Sequence, residues 1–145
     1  MSFLIAAAVA AQAAAPITVE IGNVRNARGK VLVAVCTQAQ FLKTDCNYNA
    51  EVAAQPGTVR VTIPNVPPGT WAIQAFHDEN NNESTDQGLF GIPKEGVGFS
   101  RDARISFGPP KWRDAQFIHQ GRPEVMRFRL RYMMGPSGPP APRGK

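Results

Sequence analysis

The residues best suited to chemistry stand together in "FHDENNNESTDQGLFGIP", Phe76 to Pro93, where Asp78, Glu79, Glu83 and Asp86 crowd around three consecutive asparagines. Carboxylates this close repel one another, so something must offset them. Calcium would do so, because it gathers about six to eight oxygens from carboxylates, amides and backbone on a tight loop. Asp78, Asn80 and Asn82 stand at loop positions 1, 3 and 5, Ser84 at position 7, where a backbone carbonyl serves, and Asp86 at position 9. Two features separate this stretch from an EF-hand. Glu83 occupies position 6, where glycine allows the sharp turn, and Leu89 occupies position 12, the place of the bidentate glutamate. A calcium site here would have the affinity of extracellular modules, with Kd on the order of 10⁻⁴ to 10⁻³ M. The other reading of the same residues is a surface loop rich in Asx turns, its asparagines and aspartates capping their own backbone. Calcium is the one cofactor the sequence suggests.

Around this stretch His77, Glu95, Phe99 and Ser100 are candidate ligand-binding residues. His77 and His119 are the only histidines, and both fall at the ends of expected strands. His77 with Asp78 has the composition of an acid–base pair, but ordinary strand-end histidines have it too. Ser100, in "GFSRD", lacks the G-x-S-x-G elbow of a hydrolase nucleophile. Glu95 suits a general acid, a further metal oxygen, or a carboxylate that fixes its own turn. No phosphate-binding or dinucleotide-binding glycine motif occurs.

The elements that would position these groups are short strands. The chain has 145 residues, 13 glycines, 13 prolines and 43% hydrophobic residues, enough for one core and too turn-rich for long helices. "ITVEIGNVRNARGKVLVAVC" alternates Ile17, Val19 and Ile21 with polar residues, turns at "NARG" and continues through Val31, Val33 and Val35, which predicts a β-hairpin. "GTVRVTIP" points Val59, Val61 and Ile63 inward, and "TWAIQAFHD" is a further strand that delivers Phe76 and His77 into the acidic segment. From Gln87 to Pro110 a Gly/Pro-rich stretch has no sustained period, and its apolar residues predict an ordered loop packed on the sheets. "KWRDAQFIH" and "PEVMRFRLRYM" are expected to close the fold as two strands around "QGRP", with Met126, Phe128, Leu130 and Tyr132 inward and Arg127, Arg129 and Arg131 outward. The pattern predicts an all-β fold: a two-sheet antiparallel sandwich of about seven strands, Ig-like or prealbumin-like, with one long loop.

Against the net charge of +5, the Arg127, Arg129 and Arg131 stripe fits either a polyanion-binding face or the solubility and edge protection of an outward strand. Without exposed aromatics interleaved among the cations, nucleic acid is not an expected partner. Residues 1–15, "MSFLIAAAVAAQAAA", carry no charge, run apolar and end in small residues, which predicts a signal peptide, although the usual positive leading region is missing. Residues 16–134 form the expected sandwich domain and 135–145 a flexible Pro/Gly tail. No later run is long and apolar enough to span a bilayer. Cys36 and Cys46 are the only cysteines; in an oxidising compartment the pair would close a short disulfide loop, the alternative being a two-thiolate metal site. The expected location is periplasmic or secreted.

Taken together, "PPGTWAIQAFHDENNNESTDQGLFGIPKEGVGFS" and "GPPKWRDAQF" resemble the signature of a family of uncharacterised exported bacterial proteins, a domain of unknown function. That signature runs P-P-G-x-Y-A, H-D-x-N-x-N-G-x-x-D, G-I-P-x-E-G-x-G-F-S and G-P-P-x-F-x-D-A-x-F. Here Trp71 replaces its tyrosine, Trp112 its second phenylalanine position and Glu83 its loop glycine. The resemblance implies an exported β-sandwich and supplies no activity. The expected role is therefore a non-enzymatic binding or structural module of the cell envelope, meeting envelope components or another protein, with a calcium-stabilised acidic loop. The alternatives are an enzyme acting on an envelope polymer through loop carboxylates and a polyanion-binding module working through the arginine stripe.

Overall fold

The computed structural model describes residues 13–80, 96–105, 108–132 and 137–139. Two sheets pack face to face. One holds β4 (Gly57–Val66), β1 (Ala15–Val24) and β8 (Glu124–Arg129) in that order; the other runs β3 (Tyr48–Ala53), β2 (Lys30–Cys36), β5 (Gly69–Asp78) and β6 (Val97–Phe99), with β7 (Phe117–His119) also paired to β5. β6 meets residues 74–76 of β5 and β7 meets residues 69–71. The all-β sandwich is as expected; among the described residues it has eight strands, and the helical pieces there are a 3₁₀ turn at Ser100–Asp102 and the single turn α1 (Trp112–Ala115). One pair, β1 with β8, is parallel.

The core lies where the inward rows of the two sheets meet: Ile17, Val19 and Ile21 of β1, Val31, Val33 and Val35 of β2, Ile63, Ile73 and Phe128. Burial alternates along β1 and β2 with the period of two that an extended chain imposes. The predicted faces of β4 and β8 hold: Val59, Ile63 and Phe128 are buried, and Arg127 and Arg129 face solvent.

The predicted hairpin does not form. β1 pairs with β4 and β8, and β2 with β3 and β5, so the chain crosses from one sheet to the other between them. Facing the apolar rows of β1 and β2 across the sandwich buries both; placing the strands side by side would leave each row needing another cover. The crossing needs a left-handed residue at Gly29, φ 67°, where a Cβ would stand 1.8 Å from the carbonyl oxygen of Asp78. β7 and β8 likewise lie in different sheets, the "QGRP" segment serving as a crossover.

A second, smaller core covers the outer face of β5. Phe41 meets Phe99 and Trp112 edge-on, each at 5.8 Å between ring centroids, and Ala72, Val97 and Ala115 fill the space beneath. The described part of the Gly/Pro-rich stretch is thus packed down, with β6 inside it; Leu89, Phe90 and Ile92 lie outside the described residues.

Candidate functional site

Strand β5 ends at Asp78, so the acidic segment leaves the sandwich at the end where β2 begins. Side chains alternate along β5, which turns His77 into the main core and Asp78 to the outer face. There Asp78 is fully buried and stands directly opposite Lys30 of β2.

His77 is held from three sides. Its backbone N–H donates to the Gly96 carbonyl at 2.9 Å. Its Nε2 lies 2.8 Å from the Arg28 carbonyl oxygen, which only accepts, so Nε2 carries the proton. Nδ1 then accepts the hydroxyl proton of Tyr132 at 2.8 Å, and the Tyr132 oxygen accepts the backbone N–H of Arg25 at 3.0 Å. Burial, reinforced by the Glu79 charge and opposed by the Arg25 N–H, pushes the Tyr132 hydroxyl up to about 12.

Glu79, one of the crowded carboxylates, is neutralised by the protein itself. Arg25 grips it with Nε at 3.0 Å and Nη2 at 2.5 Å, and Asn26 donates to the same carboxylate at 2.5 Å. The guanidinium also lies over the Tyr132 ring, 4.4 Å from its centroid, a cation–π contact. The hydrogen bond from Arg25 holds the Glu79 carboxyl below its ordinary range, against the opposing effect of burial and with help from Asn26. The root of the acidic segment is thus clamped by ion pair, ring stacking and a buried hydrogen-bond chain.

Of the proposed calcium ligands, Asp78 and Asn80 lie at this root, whereas Asn82, Ser84 and Asp86 lie outside the described residues, as does Glu95. Among the described residues no three His, Cys, Asp or Glu side chains gather as a metal group. Phe99 and Ser100 lie farther along the chain, on β6 and just beyond it. Ser100 is buried; its Oγ accepts the Ile73 N–H at 2.9 Å and donates to the Ala115 carbonyl at 2.5 Å, tying β5 to α1. Phe99 belongs to the smaller core. His119 is buried at the opposite end, with Nε2 on the Val66 carbonyl at 3.1 Å and Nδ1 on Glu124.

Cys36 and Cys46 form a disulfide. The loop it closes is fastened to β5 by the buried Gln74, which accepts the Leu42 N–H at 2.8 Å and donates to the Lys43 carbonyl at 2.7 Å. Between this loop and the root of the acidic segment, the outer face of β2, β3 and β5 forms a groove of about 580 Å³ floored by Leu32, Ala34 and Phe76.

Sequence reasoning missed Arg25, Asn26, Glu79, Tyr132 and Gln74 as positioning residues. Gln74 was findable, since a lone amide inside the apolar run "WAIQAF" needs partners. For the Arg25–Glu79 pair no local signal exists, because 53 residues separate the partners and other cations were equally available.

No curated protein matches this chain, and no solved structure does. Residues 19–126 match the model of an uncharacterized protein family conserved in bacteria, DUF2141, a span that takes in both sheets and the root of the acidic segment. The chain belongs to that family.

Proposed function

We propose that this protein is an exported binding or structural module of the bacterial cell envelope, not an enzyme, and that its working end is the acidic segment, steadied by calcium. The observation that carries the reading is that both histidines and Ser100 are buried with their hydrogen-bonding atoms engaged inside the fold. Groups spent in this way hold elements together and are poorly placed to shuttle protons or attack a substrate. The clamped root beneath the acidic segment supports a ligand loop, because a cation site with few charged ligands gains affinity when its anchor is already ordered. The disulfide supports export, since such bonds persist in oxidising compartments.

The test is thermal unfolding with chelator and with millimolar calcium. A ligand that binds only the folded state adds about 1.4 kcal/mol at ten times Kd, so calcium should raise the melting temperature and Asp86→Ala should abolish the rise. Asp86 is the better probe, because Asp78 is buried opposite Lys30 and its loss would disturb the fold whether or not calcium binds. Superimposable melting curves with chelator and with calcium would leave the segment as a loop capped by its own Asx turns.

A further inference from the structure

On the far side of the molecule the outer face of the three-stranded sheet gathers four arginines around two acids. β1 sets Glu20 between Arg60 of β4 and Arg127 of β8, in register on both sides. Glu20 is shared by the two cations, at 2.7 Å from Arg127 and 3.5 Å from Arg60. One row further along, Asp102 from the 3₁₀ turn is shared in the same way by Arg129 at 3.3 Å and Arg131 at 3.2 Å. Four positive charges meet two negative ones, so the face carries a surplus of two even after pairing. Each acid holds two guanidiniums at fixed strand positions while most of their N–H donors point to water; the side chains of Arg60, Arg127 and Arg129 are 64%, 70% and 67% exposed.

Between these arginines the sheet has a shallow depression of about 340 Å³. It exists because Gly22 brings no side chain to the middle of the face, between Thr58 and Arg129. Among the described residues lining it the one aromatic is Phe128, which is buried, so none of them offers an exposed ring to stack on a base. Strands about 4.8 Å apart and outward residues about 6.8 Å apart along each strand spread the guanidiniums over a flat lattice. Guanidiniums are suited to planar, paired contacts with carboxylate, sulfate or phosphate oxygens.

We propose that this face is a binding site for an anionic polysaccharide, whose acidic groups seat on Arg60, Arg127 and Arg129 and whose sugar ring occupies the depression over Gly22. Thr58 places a hydroxyl beside the ring, and the surplus charge of the face draws in the polymer. The proposal rests on β1, β4, β8 and the 3₁₀ turn and does not invoke calcium.

Binding to heparin, a sulfated polysaccharide, tests this, with neutral dextran as the comparison and the intact chain throughout. Arg127→Ser with Arg129→Ser removes one guanidinium from each acid and leaves each acid its other partner, so the sheet should keep its fold and its melting temperature. That variant should bind heparin about tenfold more weakly or worse. Lys111→Ser with Arg113→Ser removes the same charge from the start of α1 and the residue before it, outside the lining of this face, and should change affinity less than about twofold. Binding should also weaken steeply as the screening length falls from about 10 Å at 0.1 M salt to about 3 Å at 1 M. Equal losses in the two double variants would reduce the effect to net charge and overturn the site. Binding to dextran, or tighter binding to vesicles containing anionic phospholipid than to heparin, would overturn the ligand class.

Discussion

At the scale of single residues, the crowding of carboxylates is resolved first by Glu79. Its lowered proton affinity means that the Arg25 pair contributes full stability well above the ordinary carboxylate value and loses it as pH falls through the depressed folded-state value. Glu79→Gln should therefore cost about 3 kcal/mol near neutral pH, the lower end for a broken buried pair, because Arg25 keeps the Tyr132 ring. Its stability should also fall less steeply than that of the parent below about pH 5. Urea unfolding of both proteins at stepped pH checks this, and parallel curves would mean that the pair is not the acid-sensitive contact. The acidic stretch was legible in the sequence as a place needing compensation. The identity of one compensating group, an arginine on the β1–β2 crossover, was not, because it reaches Glu79 only after the two sheets have stacked.

At the scale of elements, β5 is the member on which the groups around the root of the acidic segment depend. Its inward side carries Ile73, Ala75 and His77, its outward side carries Ala72, Gln74 and Asp78, and it pairs with three other strands. Each loop near the site is fastened to it: the disulfide loop by Gln74, α1 through Ser100, and the return from the acidic segment through the bond of His77 to Gly96. Replacing the disulfide by Cys36→Ser with Cys46→Ser should cost about 2 to 3 kcal/mol, the chain entropy of a short closed loop. Far-UV circular dichroism should stay unchanged, because the Gln74 contacts still fix the loop. An unaltered denaturation midpoint would show that the amide contacts alone hold it. The strand β3 escaped the sequence reading although "YNAEVA" alternates, because none of its residues is fully buried and its apolar row is only three residues long.

At the scale of the whole molecule, charge and oxidation state divide the surface into different regions. One end clamps an acidic segment, one sheet face carries surplus arginines, and a disulfide closes a loop near the groove. β1 begins at Ala15, which is buried opposite Val66, so a cut after residue 15 would spare all of the strand but its first residue. Expressed as the full chain in a bacterium, the protein should be recovered from the periplasm starting at Pro16 with the mass of the oxidised form. Intact-mass spectrometry under non-reducing conditions reads both properties. A full-length product with two free thiols, confined to the cytoplasm, would defeat export.

Residue patterning alone was enough to read the all-β class, the inward faces of β1, β4 and β8, the Cys36–Cys46 pair as a disulfide candidate and the place where carboxylates collect. These are local properties: alternation with period two fixes which side of a strand is apolar, and turn residues mark where strands stop. That β1 and β2 lie in different sheets, that β8 runs parallel to β1, that Arg25 answers Glu79 and that four arginines share two acids came from the folded arrangement. Alternation names the face a strand buries and is silent about the neighbour at its edge. The neighbours were set by closing two apolar faces onto one core, and the charged pairs formed wherever that closure brought distant residues within reach.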